Sequence, residues 1–153
     1  MAISRTVIGS SLHPITAIIE RGRLAFFANA IGETDPIYSD VEAAHAAGHP
    51  DLLVPPTFLF GLLLDAPDPF GWIERLGVDM RFVLHGNQKF SYSSPLHAGD
   101  SVTLSPRITD VYDKRGGALE FIVLSTEVTT ADGALAAEFD QTVVVRHPEV
   151  KAA

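Results

Sequence analysis

The chain is 153 residues long, with 46% of them apolar, a formal net charge of −8 and no cysteine. At that length a single domain burying about two thirds of its unfolded surface is expected, and so apolar a composition excludes disorder throughout. The acidic balance and the lack of a Lys/Arg stripe exclude nucleic acid as the main partner. The missing cysteines exclude a disulfide framework, a thiolate metal site and a thiol nucleophile.

The opening stretch "MAISRTVIGSSLHP" has no continuous apolar segment of the secretory type. Residues 1–14 read as an N-terminal tail, 15–147 as the domain and 148–153 as a C-terminal tail. In "ITAIIERGRLAFFANAIG" the apolar residues Ile19, Leu24, Phe27 and Ile31 fall at helical spacing and Gly32 is a natural stop. Gly22 weakens the first turn, so the firm helix is expected from near Arg23. A short helix over "VEAAHAA" has Ser39 or Asp40 as N-cap and Gly48 as terminator. Pro55 and Pro56 force an extended approach to the apolar helix "TFLFGLLLDA". Its run from Leu52 to Leu64 is too short for a membrane span, so no membrane partner and a cytoplasmic location are expected. Gly61, inside that helix, implies close approach of a strand or of substrate.

Turn residues in "APDPFGW" precede a helical turn around "WIERLG". Four long strands follow: "FVLHGNQKFSYSS", "SVTLSPRITDVYD", "ALEFIVLSTEVTTAD" and "ALAAEFDQTVVVRH". In the third, Ile122, Leu124, Thr126 and Val128 share one face and Phe121, Val123, Ser125 and Glu127 the other. A helix apolar nearly all round must be buried nearly all round. One such helix followed by an antiparallel meander predicts an α+β hot-dog fold, a curled sheet wrapped around a central helix.

The stretches "AIGETDPIYSDVEAAHAAG", "LLVPPTF" and "LHGNQKFSYSSPLHAGDSVTLSPRITDVYDKRGG" together resemble the N-terminal-type domain of MaoC-like dehydratases, over about residues 15–146. The resemblance implies a hot-dog dimer or double hot-dog acting on acyl thioesters of coenzyme A or acyl carrier protein. The reaction implied interconverts 3-hydroxyacyl and trans-2-enoyl forms, with no cofactor and no metal. In the family motif Gly-Asp-x-Asn-Pro-x-His the Asp and His activate water. Here Gly32 and Pro36 match, Glu33 stands at the Asp position, Asp35 at the Asn position and Tyr38 at the His position. The family's Ala-His-Gly before the central helix is replaced by Val54-Pro55-Pro56-Thr57.

Hydration of an enoyl thioester needs a base for water, an acid for Cα and donors for the developing enolate. Glu33 can serve as base if burial raises its pKa. Tyr38, with a reference pKa near 10, suits an acid or a water-positioning group. N–H groups at Thr57 and Phe58 can hold the thioester oxygen, and an acyl chain is expected to lie along Pro56, Phe58, Leu59 and Leu62. His85, polar where a strand prefers Val or Ile, is the candidate to replace the missing motif histidine, facing one cavity with Glu33. Each residue also has a plain structural reading: Glu33 as a solvated loop acid, Asp35 as a turn starter, Tyr38 as a packing residue, His85 as a strand-end histidine. Four functional readings stay open: a hydratase or dehydratase; a non-catalytic acyl-binding partner subunit of a heteromeric enzyme; an acyl-CoA thioesterase; and a plain acyl-binding protein without an enzymatic partner. A homodimer or higher even oligomer, or a heteromer with a catalytic hot-dog chain, is the expected assembly.

Overall fold

A computed structural model describes residues 3–150. The four expected strands are present as β2 (Val83–Tyr92), β3 (Ser101–Lys114), β4 (Leu119–Thr130) and β5 (Leu135–Arg146). A fifth, β1 (Ile15–Ile18), pairs antiparallel with β3, Ile15 opposite Leu104. The sheet order is β1-β3-β4-β5-β2, so β1 and β2 are its edges. Sequence reading missed β1: four residues alternate too briefly to separate from the helical spacing that follows them.

Helix α1 (Arg21–Ala30) starts two residues before the expected Arg23, with Gly22 tolerated in its first turn. It ends as predicted at Gly32, whose φ of +73° closes a Schellman-type turn with the Glu33 N–H on the Ala28 carbonyl. Helix α2 (Val41–Ala46) is capped by Asp40, whose carboxylate accepts from the Glu42 and Ala43 N–H groups.

The apolar helix differs most from expectation. α3 spans only Leu59–Leu63, since the Phe58 N–H bonds to the Pro55 carbonyl in a turn ahead of it. Nor is it buried all round. Leu59 and Leu62 are fully buried, Phe60 and Leu63 are half-buried and Leu64 is 43% exposed. Burying Leu59 and Leu62 contributes on the order of 1.5–3 kcal/mol each. Gly61 meets no strand: a Cβ there would find open space within 4 Å. Helix α4 (Gly71–Arg75) occupies the expected helical turn. No helix of the described residues is long and apolar enough to cross a membrane.

The burial alternation of β4 is as predicted, with Ile122, Leu124, Thr126 and Val128 all inward. One core cluster packs α1 and α3 on this inner face through Leu24, Leu59, Leu62, Leu104 and Phe139. A second joins α4 to the far half of the sheet through Ile73, Ile108, Ile122 and Val145, with Ile3. The stretch ahead of β1 is docked along β3, where the Leu12 N–H meets the Pro106 carbonyl and Ser11 bridges Arg107. The buried Glu120 accepts from the Ile3 N–H at 2.9 Å and lies 2.6 Å from His147 Nε2. Residues 1, 2 and 151–153, parts of the two expected tails, lie outside the described residues.

β2 carries a bulge at Gly86, where the register steps from His85 opposite Val143 to Asn87 opposite Thr142. A Cβ at Gly86 would sit 2.7 Å from Val144 Cγ2 and 3.2 Å from the Thr142 carbonyl oxygen, so only glycine fits without a shift. After the bulge, Gln88, Phe90 and Tyr92 face the helices, and Phe90 packs on Phe139 with ring centroids 5.2 Å apart.

Candidate functional site

The loop after α1 forms a polar overhang, but its carboxylates are turned onto their own backbone. Glu33 is exposed, and one carboxylate oxygen accepts from the N–H groups of Thr34 (2.8 Å) and Asp35 (3.0 Å). Asp35 caps the short 3-10 turn Pro36–Tyr38 by accepting from the Ile37 N–H at 3.1 Å. The Asp35 cap is worth about 1 kcal/mol, and these bonds explain both acids locally. Burial, reinforced by the negative charges of Glu33 and Asp35, holds the Tyr38 hydroxyl above the ordinary tyrosine range. The Tyr92 hydroxyl is raised further, by burial and then by Tyr38, and donates to the Pro56 carbonyl at 2.8 Å. Tyr38 and Tyr92 are therefore two neutral phenols at physiological pH, placed where the chain enters α3.

The residues expected to line an acyl site divide sharply. Phe58, Leu59 and Leu62 are 3%, 0% and 0% exposed and locked in the core, which corrects the expectation that a chain lies along them. Pro56 and Thr57 are exposed at the overhang. With the Phe58 N–H already bonded to Pro55, a paired Thr57/Phe58 donor site for a thioester oxygen is not formed as expected.

A cavity of about 490 Å³ opens instead at the other end of α3, in the range of ligand sites. Phe60 and Leu63 of α3, Leu64 just after it, Trp72 of α4 and Val143 of β5 form its apolar walls, and His85 borders it. His85 packs edge-on against Phe60, ring centroids 5.2 Å apart. Glu33, Tyr38 and Thr57 do not border this cavity. From Tyr92, beside the overhang, His85 lies seven residues back along β2, roughly 20 Å at strand rise. Glu33 and His85 thus line no shared space in this chain, contrary to the expectation from sequence. Sequence reading also missed Gln141, 7% exposed and bordering the cavity from β5. Its signal was available: a glutamine at an inward position between Phe139 and Val143.

A polar overhang at one end of a short apolar helix, a cavity at the other, and a five-stranded antiparallel sheet under both are the parts of a MaoC-like hot-dog domain. A solved MaoC-like dehydratase superposes with a TM-score of 0.81 over 94% of this chain and 43% of that longer one, at 19% identity, a likeness of fold alone. The C-terminally truncated HadBC (3R-hydroxyacyl-ACP dehydratase) complex from Mycobacterium tuberculosis matches with a TM-score of 0.74 and 25% identity, covering 90% of this chain and 96% of that one. A UPF0336 protein of Streptomyces coelicolor is 41% identical over 126 residues, 76% of this chain and 83% of its own length. The model of the FAS1-like dehydratase domain region matches residues 6–139, and the chain belongs to that family.

Proposed function

We propose that this chain is the acyl-binding subunit of a two-chain acyl-thioester hydratase or dehydratase, which interconverts 3-hydroxyacyl and trans-2-enoyl thioesters of coenzyme A or acyl carrier protein. The observation that carries the reading is the separation of carboxylate from imidazole. Glu33 is spent on the Thr34 and Asp35 N–H groups at an exposed loop, while His85 borders a cavity that Glu33 does not reach. General acid–base hydration needs both groups within hydrogen-bond or one-water reach of the reacting carbons. A second hot-dog chain with an intact Asp/His motif supplies that pair, and this chain supplies the cavity. The solved HadBC relative, itself a complex, supports such a division. The free edge of β2 offers the docking strand, since an unpaired edge of ten residues invites pairing with a neighbour. The assembly is a dimer or higher even oligomer burying more than about 1,000 Å², and it works in the cytoplasm.

The test is hydration of a trans-2-enoyl-CoA by the purified chain, alone and mixed with a hot-dog partner carrying Gly-Asp-x-Asn-Pro-x-His. Activity only in the mixture, surviving Glu33→Gln and His85→Ala here, is the expected result. The exposure of His85 to the cavity favours one other reading, a self-sufficient enzyme with Glu33 as base, His85 or Tyr38 as acid, and Asp35 orienting. That reading requires activity of the chain alone and a loss of at least about a hundredfold on either substitution.

A further inference from the structure

Three polar side-chain atoms on the inner face of the sheet are sealed from solvent without a hydrogen-bond partner: Gln88 Nε2, Gln141 Oε1 and Thr126 Oγ1. Leaving such a group unpaired is costly, and native folds do it rarely. Two of the three are coupled by the sheet. Gln88 of β2 and Gln141 of β5 stand directly opposite each other in the register, which places their Cβ atoms about 5 Å apart on one face. Gln141 borders the cavity. Thr126, on β4 opposite Phe139, does not. The cavity is otherwise mostly apolar where it meets α3, β4 and β5, through Phe60, Leu63, Leu124 and Val143. An apolar pocket with one buried, unpartnered amide in its wall is built for a ligand that is largely hydrocarbon and carries one hydrogen-bonding group.

We infer that this cavity selects acyl chains bearing a hydroxyl far from the thioester, with Gln141, backed by Gln88, as the specificity-determining pair. The inference rests on the acyl-binding reading above. A hydroxyl fits Gln141 better than a keto group, because it donates to the unpartnered Gln141 oxygen, which Gln88 backs from outside the cavity wall, whereas a ketone only accepts. Position follows from the strand. Gln88 lies four residues before Tyr92, roughly 13 Å along β2, and Tyr92 is tied to Pro56 at the overhang. On the acyl-binding reading the thioester meets the partner chain's catalytic pair at the overhang, so a hydroxyl next to it would stay there. Only one well down the chain reaches Gln141.

The experiment is equilibrium titration of the full chain with palmitoyl-CoA and with the same thioester carrying a single hydroxyl, walked along the chain, plus the keto analogue at the best position. The expected result is one maximum at a mid-chain position. It should bind at least about tenfold tighter than palmitoyl-CoA, with the keto analogue between them, a factor that corresponds to about 1.4 kcal/mol. Gln141→Leu should erase the maximum while palmitoyl-CoA binds as well or better. Gln88→Leu, which leaves the cavity wall intact, serves the same purpose if the first variant does not fold. Tight binding of every chain with no positional preference overturns the hydroxyl site and leaves the acyl-binding reading standing. A preference that survives both substitutions also overturns it. Failure of any acyl-CoA to bind overturns both.

Discussion

The Tyr92 hydroxyl and the Pro56 carbonyl, 2.8 Å apart, join the edge strand to the entrance of the central helix. They are 36 residues apart in sequence, and among the described residues no other side-chain hydrogen bond crosses between β2 and the overhang. Tyr92→Phe removes one hydrogen bond and keeps the ring. It should lower stability by about 1 kcal/mol, read as a shift in urea midpoint at unchanged slope. A larger loss would mean that the ring also moved.

Gly61→Ala should be stabilising. The residue lies in α3 with open space where a Cβ would go, so alanine cuts unfolded-chain entropy without a clash, a gain of roughly 0.5–1 kcal/mol. Thermal unfolding checks the sign. Destabilisation would show that something absent from the isolated chain packs against the glycine.

Gly86→Val should be destabilising by about 1–3 kcal/mol. The new side chain meets Val144 and the Thr142 backbone, and relief requires the bulge to slip. Because the bulge aims both His85 and Gln88 inward, the variant should also lose acyl-chain affinity.

His97 gives the stability a pH dependence. Burial lowers its pKa, Asp100 opposes this, neighbouring His49 lowers it further and Asp51 opposes; His49 Nδ1 lies 3.1 Å from His97 Nε2. A histidine with a depressed folded pKa binds protons more readily when unfolded. Its contribution is therefore complete above the unfolded value near 6.5 and is lost as pH falls below it. The melting temperature should drop between about pH 7.5 and pH 5.5, and His97→Gln should reduce that drop. The exposed Asp79, held at about 2 first by its bond to the Arg81 side chain and then by the Arg81 N–H, acts only in far stronger acid. An unchanged pH slope in His97→Gln would refute the assignment.

Much of the architecture was legible because strands of ten or more residues leave long alternating patterns, as in β4. The losses have physical causes. β1 is too short to announce a period. α3 is short because a proline turn takes the Phe58 N–H that helix propagation needs. The candidate site was less legible. Glu33 and Asp35 look the same in sequence whether they face a substrate or cap their own loop, and only the hydrogen bonds decide. Leu59 and Leu62 read as tunnel lining because apolarity does not say which face of a helix meets protein. Gln141 was passed over although it breaks an otherwise apolar inward series.

The sheet order carries a kinetic consequence. β3, β4 and β5 are consecutive hairpin partners, whereas β2 must find β5 across two intervening strands, Val83 meeting Val145. Local hairpins form early and distant pairings late, so β2 is expected to join an already zipped meander. The wall bearing His85, and Gln88 with it, is then laid down last. A bound acyl chain would meet a finished pocket in the native state and almost none in the folding transition state. Its protection should appear almost entirely as slower unfolding, with the refolding rate left as it was.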